Sequence, residues 1–249
     1  MNYKVFPDIY WQNIETALKD LKALQRPIFA AFDADGTLWD TDLGENFFNF
    51  EIDHKLVELP SDPWRHYLDL KKENNDPRSA YLWLAQINKG RSVAEVRKWA
   101  QSAFEEIQPN PIFVEQQKLI TLLKSYDVQI FVVTASIKWA VEPGARALGL
   151  SIDHVIGVET SVVDGFVSDN AMYPITYRTG KVEALLKRTG QHKPFLCSGN
   201  TIGDFELLES ATHFKLAVSA ASRDDKLFKN ENELFQKAQE LNWWSHRFI

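Results

Sequence analysis

Residues 27 to 39 read "PIFAAFDADGTLW", and the fold turns on how this stretch is taken. "PIFAAF" (27–32) is short and wholly apolar, the pattern of a strand buried on both faces of a parallel sheet. Directly behind it stand Asp33 and Asp35, one residue apart and followed by Gly36. An ionised carboxylate at the end of a buried strand is costly unless a cation or a set of donors compensates it. The stretch therefore predicts a positive partner at that spot as well as a strand.

Further runs of the same kind follow at "VQIFVVT" (128–134), "DHVIGVE" (153–159), "PFLCSGN" (194–200) and "FKLAV" (214–218). Most gaps between them are long enough for a helix, which predicts an α/β fold with a doubly wound parallel sheet covered on both faces. One gap is too long for a simple crossover. Between Asp33 and Thr134 lie about a hundred residues of mainly helical signal: "ENFFNFEIDHKLVEL", "PRSAYLWLAQINK" closed by Gly90, and "VAEVRKWAQSAFEEI". The last of these is opened by a capping box from Ser92 to Glu95 and closed by Pro109 and Pro111. A helical module at 42–111 is thus predicted inside a sheet domain made of 1–41 and 112–249. In "VETSVVDGFVSDN", Asp164-Gly165 between two alternating runs predicts a hairpin.

Composition sets limits on function. With 249 residues, 45% hydrophobic and 25% charged, the chain has ordinary globular usage, enough for one large domain or one with a smaller companion. A net charge of -6 gives no reason to expect nucleic acid or an acidic membrane surface as a partner. The single Cys197 excludes an internal disulfide framework and fits a reducing compartment. The start "MNYKVFPDIYWQ" lacks an apolar stretch of signal-peptide length, and no segment approaches the roughly 18 apolar residues of a membrane span. These features predict a cytoplasmic protein. Eight tryptophans and 16 phenylalanines are assigned to packing, and the six histidines, which show no metal-ligand spacing, to no chemistry.

Ligands of open α/β sheets gather at the carboxyl ends of the strands, so what each strand delivers there matters. The first delivers Asp33 and Asp35. The second ends in Thr134, followed by Ala135 and Ser136, whose amides and hydroxyl could cradle an oxyanion at the next helix N-terminus. "SGNTIGDFE" presents Asn200 and Asp204, and ahead of the helix "KVEALLKR", "TYRTGK" offers Lys181 behind a glycine. Hard oxygen donors beside a lysine and a helix N-terminus describe a Mg²⁺ and phosphate site. Taken alone, D-x-D-G-T arises by chance in about one chain in several hundred of this length. The order of the pieces at successive strand ends carries the reading.

"DADGT", "VVTAS", "TGK" and "GNTIGD" resemble, in order, the four signature motifs of the haloacid dehalogenase superfamily, and the helical insertion sits where that family's first type of cap domain sits. The resemblance covers nearly the whole chain. It implies a Rossmann-like core and a phosphoaspartyl mechanism, with Asp33 as nucleophile and Asp35 as the acid for the leaving oxygen and then the base for water. It further implies that Thr134, Ala135 and Lys181 hold the phosphoryl oxygens, and that Mg²⁺ is bound by Asp33, the main-chain carbonyl of Asp35 and the fourth motif. There this chain departs from the family: Gly199 is followed by Asn200 where many members have aspartate. One negative charge is missing, and the direct ligand is left open between Asn200 and Asp204.

A dehalogenase needs no leaving-group acid of Asp35's kind, so the second aspartate favours phosphatases and phosphomutases. The helical insertion, the hairpin before "GKVEALL" and "GTLWDTDLGE" look most like the phosphoserine phosphatase branch, with some similarity to phosphorylcholine phosphatases. That resemblance implies a small phosphomonoester, with Glu45 facing a substrate ammonium group. The residues themselves also allow Asp42 to Glu45 to cap a helix. A phosphotransferase or phosphomutase, and a non-catalytic binding module keeping the fold, are the other readings. The oligomeric state is not legible.

Overall fold

The computed structural model describes residues 3–249. Helix α1 (Asp8–Ala23) leads into β1 (Phe29–Phe32), and four helices follow before the next strand is approached: α2 (Leu43–Asp53), α3 (Pro63–Lys72), α4 (Arg78–Gln86) and α5 (Val93–Glu105). The chain continues through α6 (Val114–Ser125), β2 (Gln129–Ile137), α7 (Lys138–Ala147), β3 (Val155–Val158) and the strand pair β4 (Thr160–Val163) and β5 (Phe166–Ala171). It closes with α8 (Thr179–Arg188), β6 (Leu196–Gly199), α9 (Phe205–Ser210), β7 (Phe214–Ser219), α10 (Phe228–Glu240) and β8 (Trp244–Arg247). Among the described residues, no helix is long and apolar enough to cross a membrane.

The main sheet is parallel throughout, in the order β3-β2-β1-β6-β7-β8. Alternate residues of one strand feed opposite cores, as the period of two in a strand requires. Ala30, Phe32, Ile130 and Val132 face Leu18 of α1 and Leu119 and Leu123 of α6. Phe29, Ala31, Phe131 and Val133 face Leu185 of α8, Leu207 and Leu208 of α9 and Leu234 of α10. From β1 the chain winds outward through β2 and β3, then returns to place β6 on the other side of β1. The crevice beyond β1 is the point where winding reverses, and ligands of such sheets bind there.

Helices α2 to α5 build a separate apolar cluster from Phe47, Phe48, Tyr67, Leu84 and Val96. Trp139 and Ala140 of α7, Val158 of β3 and Val167 of β5 complete it, so this layer leans on the sheet's second crossover. The β4–β5 hairpin, with Asp164 and Gly165 at φ 50° and 85°, docks on the same helices: Gly90 donates its N–H to the Val167 carbonyl at 2.8 Å and Val93 to that of Gly165 at 2.9 Å. The buried Glu142 of α7 takes a two-pronged bond from Arg97 of α5, at 2.7 and 2.9 Å.

Three local expectations need correction. Strand β2 runs through Thr134, Ala135 and Ser136 to Ile137, so these residues lie in extended backbone and α7 begins only at Lys138. Lys181 lies within the first turns of α8, which starts at Thr179. The half-polar "WSHR" (244–247) is a sixth parallel strand at the sheet edge, missed because an edge strand need not be apolar.

Candidate active site

Asp33 is fixed where β1 ends, its N–H donating to the Ser198 carbonyl of β6 at 2.9 Å. The next residues turn back at once: the amides of Thr37 and Leu38 donate to the Ala34 carbonyl at 3.0 and 2.8 Å. Gly36 is required in this turn twice over. Its φ is +72°, and a Cβ there would stand 2.0 Å from Nδ2 of Asn200. The turn places the Thr37 hydroxyl 3.0 Å from Oδ2 of Asp33 and 3.3 Å from Oδ1 of Asn200.

The positive partner anticipated for Asp33 is Lys181. Its Nζ donates to Asp33 Oδ1 at 2.6 Å and to Asp204 Oδ1 at 2.5 Å, and all three side chains are buried. Burial disfavours the Lys181 ammonium, but Asp204 and Asp33 outweigh it and raise its pKa. Asp33 is pushed up to about 6, chiefly by burial and then by the charge of Asp204, with Lys181 opposing. Two carboxylates around one ammonium leave one uncompensated negative charge in a buried place, which is what a bound cation would relieve.

Asp35 faces differently. Its Oδ1 accepts from the Trp39 indole N–H and the Leu43 amide, both at 2.8 Å, and its Oδ2 from the Ser136 hydroxyl at 2.6 Å. Burial first, then the charge of Asp42, pushes its pKa up to about 8. At neutral pH Asp33 is therefore the better carboxylate and Asp35 the better acid, two roles separated by environment.

Thr134 is held from two sides: its Oγ1 accepts from the Ser136 amide at 3.0 Å and its carbonyl from the Thr176 hydroxyl at 2.6 Å. Asp204, at the end of a short 3₁₀ turn (Ile202–Asp204), has its Oδ2 committed to the Thr201 amide at 3.0 Å, the Asn200 amide at 3.3 Å and the Thr201 hydroxyl at 3.2 Å. With Lys181 on its other oxygen, Asp204 has little left to offer a ligand. Asn200 is the reverse. Its Nδ2 donates to Glu231 Oε1 at 3.0 Å, which turns Oδ1 toward Thr37 and Asp33.

Asp33, Asp35, Thr134, Lys181, Asn200 and Asp204 line one cavity of about 880 Å³ between the sheet edge and helices α2 to α4. Ala135 lines it, as do Glu45, Tyr67, Lys71 and Lys226. Asp42 caps α2 by accepting the Glu45 amide at 2.7 Å, as the capping reading expected. The Glu45 carboxylate is already occupied, by Lys71 at 3.2 Å and Lys226 at 3.1 Å. Burial works to raise its pKa, yet the two lysines, Lys71 first, lower it. Trp39 is fully buried and donates its indole N–H to Asp35.

No three His, Cys, Asp or Glu side chains among the described residues gather tightly enough to hold a metal by themselves. A cation here would rely on Asp33, the Asn200 amide oxygen, the Asp35 carbonyl and water, all hard oxygen donors that suit Mg²⁺. Sequence reasoning missed Glu231, Thr37's hydroxyl and Trp39. Thr37 and Trp39 lie within or beside the first motif, but Glu231 lies 31 positions beyond Asn200, in α10, with no local motif to mark it.

Residues 30–209 match the family model described as haloacid dehalogenase-like hydrolase. Among curated proteins none matches. A protein of unknown function from Bordetella pertussis Tohama I is similar in structure, with a TM-score of 0.73 and 19% identity over 90% of this chain and 99% of that one. A phosphoserine phosphohydrolase-like protein from Francisella tularensis aligns with a TM-score of 0.54 and 19% identity, covering 84% and 99% of the two chains. A phosphoserine phosphatase solved as a phospho-aspartyl intermediate analogue aligns with a TM-score of 0.55 and 15% identity, covering 90% and 94%.

Proposed function

Because the chain belongs to the haloacid dehalogenase-like hydrolase family, we propose that it is a Mg²⁺-dependent phosphatase that cleaves a small phosphomonoester through an aspartyl phosphate on Asp33. The observation that carries this is the Asp33 carboxylate held at 2.6 Å on Lys181, at the point where the sheet's winding reverses, with Asp35 two residues on and opening on the same cavity.

In the first step an Asp33 oxygen attacks phosphorus while the ester oxygen leaves with the proton of Asp35. An alkoxide is a poor leaving group, so this proton matters most for alkyl esters. In the second step Asp35 takes a proton from water, the water oxygen attacks phosphorus, and the bond to Asp33 breaks to release orthophosphate. Thr134, the Ala135 amide and Lys181 frame the phosphoryl oxygens. Asp33, the Asp35 carbonyl and the Asn200 Oδ1 would hold Mg²⁺, with Asp204 placing Lys181. Bound there, Mg²⁺ supplies charge stabilisation to the transferring group.

Helices α2 to α5 form the cap that selects the leaving group. Amine-bearing esters, phosphoserine or phosphocholine among them, are the substrate class we propose, with their ammonium taking a lysine's place against Glu45. The structural resemblance to a phosphoserine phosphohydrolase-like protein and a phosphoserine phosphatase supports this choice of substrate class.

The test is phosphate release across a panel of phosphomonoesters with Mg²⁺ or chelator. Activity should need Mg²⁺ and fall at least about 10³-fold in Asp33→Asn. Asp35→Asn should lose about 10²- to 10⁴-fold on alkyl esters and much less on an aryl phosphate. Undiminished turnover in Asp33→Asn, or phosphoryl transfer to an acceptor without release of phosphate, would overturn the proposal.

A further inference from the structure

The missing charge of the fourth motif has a physical counterpart one residue behind it. Glu231 of α10 is buried, and its four contacts are all donors. Its Oε2 accepts from the Ser219 hydroxyl at 2.8 Å and the amides of Ala220 and Ala221 at 3.0 and 2.9 Å, and its Oε1 accepts from Asn200 Nδ2 at 3.0 Å. That is the donor set a carboxylate takes, and no cationic side chain among the described residues meets it.

We infer that Glu231 is a positioning residue for the metal site, supplying through the Asn200 amide the negative charge that an aspartate at position 200 would have carried directly. Two effects follow from the geometry. A carboxylate accepts hydrogen bonds and donates none, so it fixes the amide with nitrogen toward Glu231 and oxygen toward Asp33. The charge on the far side also polarises the amide and makes Oδ1 a stronger donor to a cation, as carboxylates behind metal ligands do. Gly36 packs directly against the pair, where any side chain in its place would collide with Asn200 Nδ2 and crowd Glu231 Oε1. Asn200 bridges Glu231 on one side and Thr37 on the other, and the single Thr37 hydroxyl hydrogen is shared between Asp33 Oδ2 and, at the longer distance, Asn200 Oδ1, which keeps lone-pair capacity for a cation.

This inference rests on the Mg²⁺ site proposed above, and its test reads metal binding directly. Mg²⁺ is titrated calorimetrically, without substrate, into the wild type, Glu231→Gln, Asn200→Asp and the double variant. In Glu231→Gln the introduced side-chain oxygen can still serve Ser219, Ala220 and Ala221, but the introduced NH₂ would then face the Asn200 NH₂ and force that amide to turn its nitrogen toward Asp33. Glu231→Gln should therefore weaken Mg²⁺ about 10- to 100-fold. Asn200→Asp alone sets two carboxylates about 3 Å apart, and should lower Tm without tightening Mg²⁺. The double variant restores one carboxylate facing one amide, with the charge moved forward, and should recover wild-type affinity within a few-fold. Unchanged affinity in Glu231→Gln, or no recovery in a double variant that folds, would overturn the inference while leaving the Mg²⁺ site in place. A wild type that takes up no Mg²⁺ would overturn both.

Discussion

At the carboxyl edge of the sheet Asp33, Asp204 and Glu231 are nearly inaccessible, and every carboxylate oxygen among them meets a donor. Inside the inserted helices Glu51 is just as inaccessible, and neither of its oxygens has a hydrogen-bond partner. The same residue chemistry is thus treated in opposite ways some way apart in one chain. At the edge, every buried oxygen is met by a donor and one ammonium offsets part of the charge, so the charges are kept for use. In the insert, burial is uncompensated, and the group gives up its charge: its pKa is pushed up to about 8, chiefly by burial.

The sharpest way to break this contrast is to make the edge resemble the insert. Lys181→Ala leaves Asp33 and Asp204 buried with their shared cation gone. Removing one partner of a buried ion pair costs about 3–5 kcal/mol, and urea unfolding at pH 8 should show a loss of that order. The loss should shrink toward pH 5, where the stranded carboxylates can take up protons. Turnover should fall with it. Near-native stability and rate in Lys181→Ala would mean that the charge at the edge is held by something other than this triad.

The converse change acts on Glu51. Its pKa is 4.5 when exposed and about 8 when folded, so between these values the native state holds a proton that the unfolded chain does not. Stability attached to this group is complete below about pH 4.5 and is lost progressively as pH rises through 8, a change of a few kcal/mol. Glu51→Gln, which cannot ionise, should raise Tm at pH 8 and flatten its pH dependence while leaving the pH 4.5 value nearly unchanged. A wild type and variant with parallel profiles would show that Glu51 is ionised and solvated in the native protein.

How much of this could be read from the residues differs between the same two regions. The sheet was legible because most of its strands are apolar runs, and the candidate residues Asp33, Asp35, Thr134, Lys181 and Asn200, read from near their carboxyl ends, all line one cavity. The Ser92–Glu95 capping box and the Asp164-Gly165 turn were legible because each is set by a few consecutive residues. What escaped depends on distant neighbours. Glu231 is an ordinary acid on a helix until α10 brings it to Asn200, and Trp39 is an ordinary core aromatic until the turn aims its N–H at Asp35. Helix α3, with one buried residue, Tyr67, has little apolar pattern to reveal it.

The smallest expected effect lies where the two regions meet. Glu45 of α2 joins Lys71 of α3 to Lys226 of the sheet domain, so one carboxylate spans the cavity mouth. Lys226 is largely exposed, and a pair of that kind is worth under about 1 kcal/mol, so Glu45→Gln should shift Tm little. Its KM pattern is more informative. If a substrate ammonium displaces a lysine at Glu45, the exchange is one cation for another, and losing the carboxylate should raise KM for phosphoserine or phosphocholine only about two- to fivefold, with an uncharged aryl phosphate unaffected. A fall in KM shared by all esters would instead show that the freed lysines attract the phosphate itself, and that Glu45 serves to hold cap against core. The ratio of the two KM changes in this one variant therefore separates recognition from latching, even though neither outcome need move stability by a measurable amount.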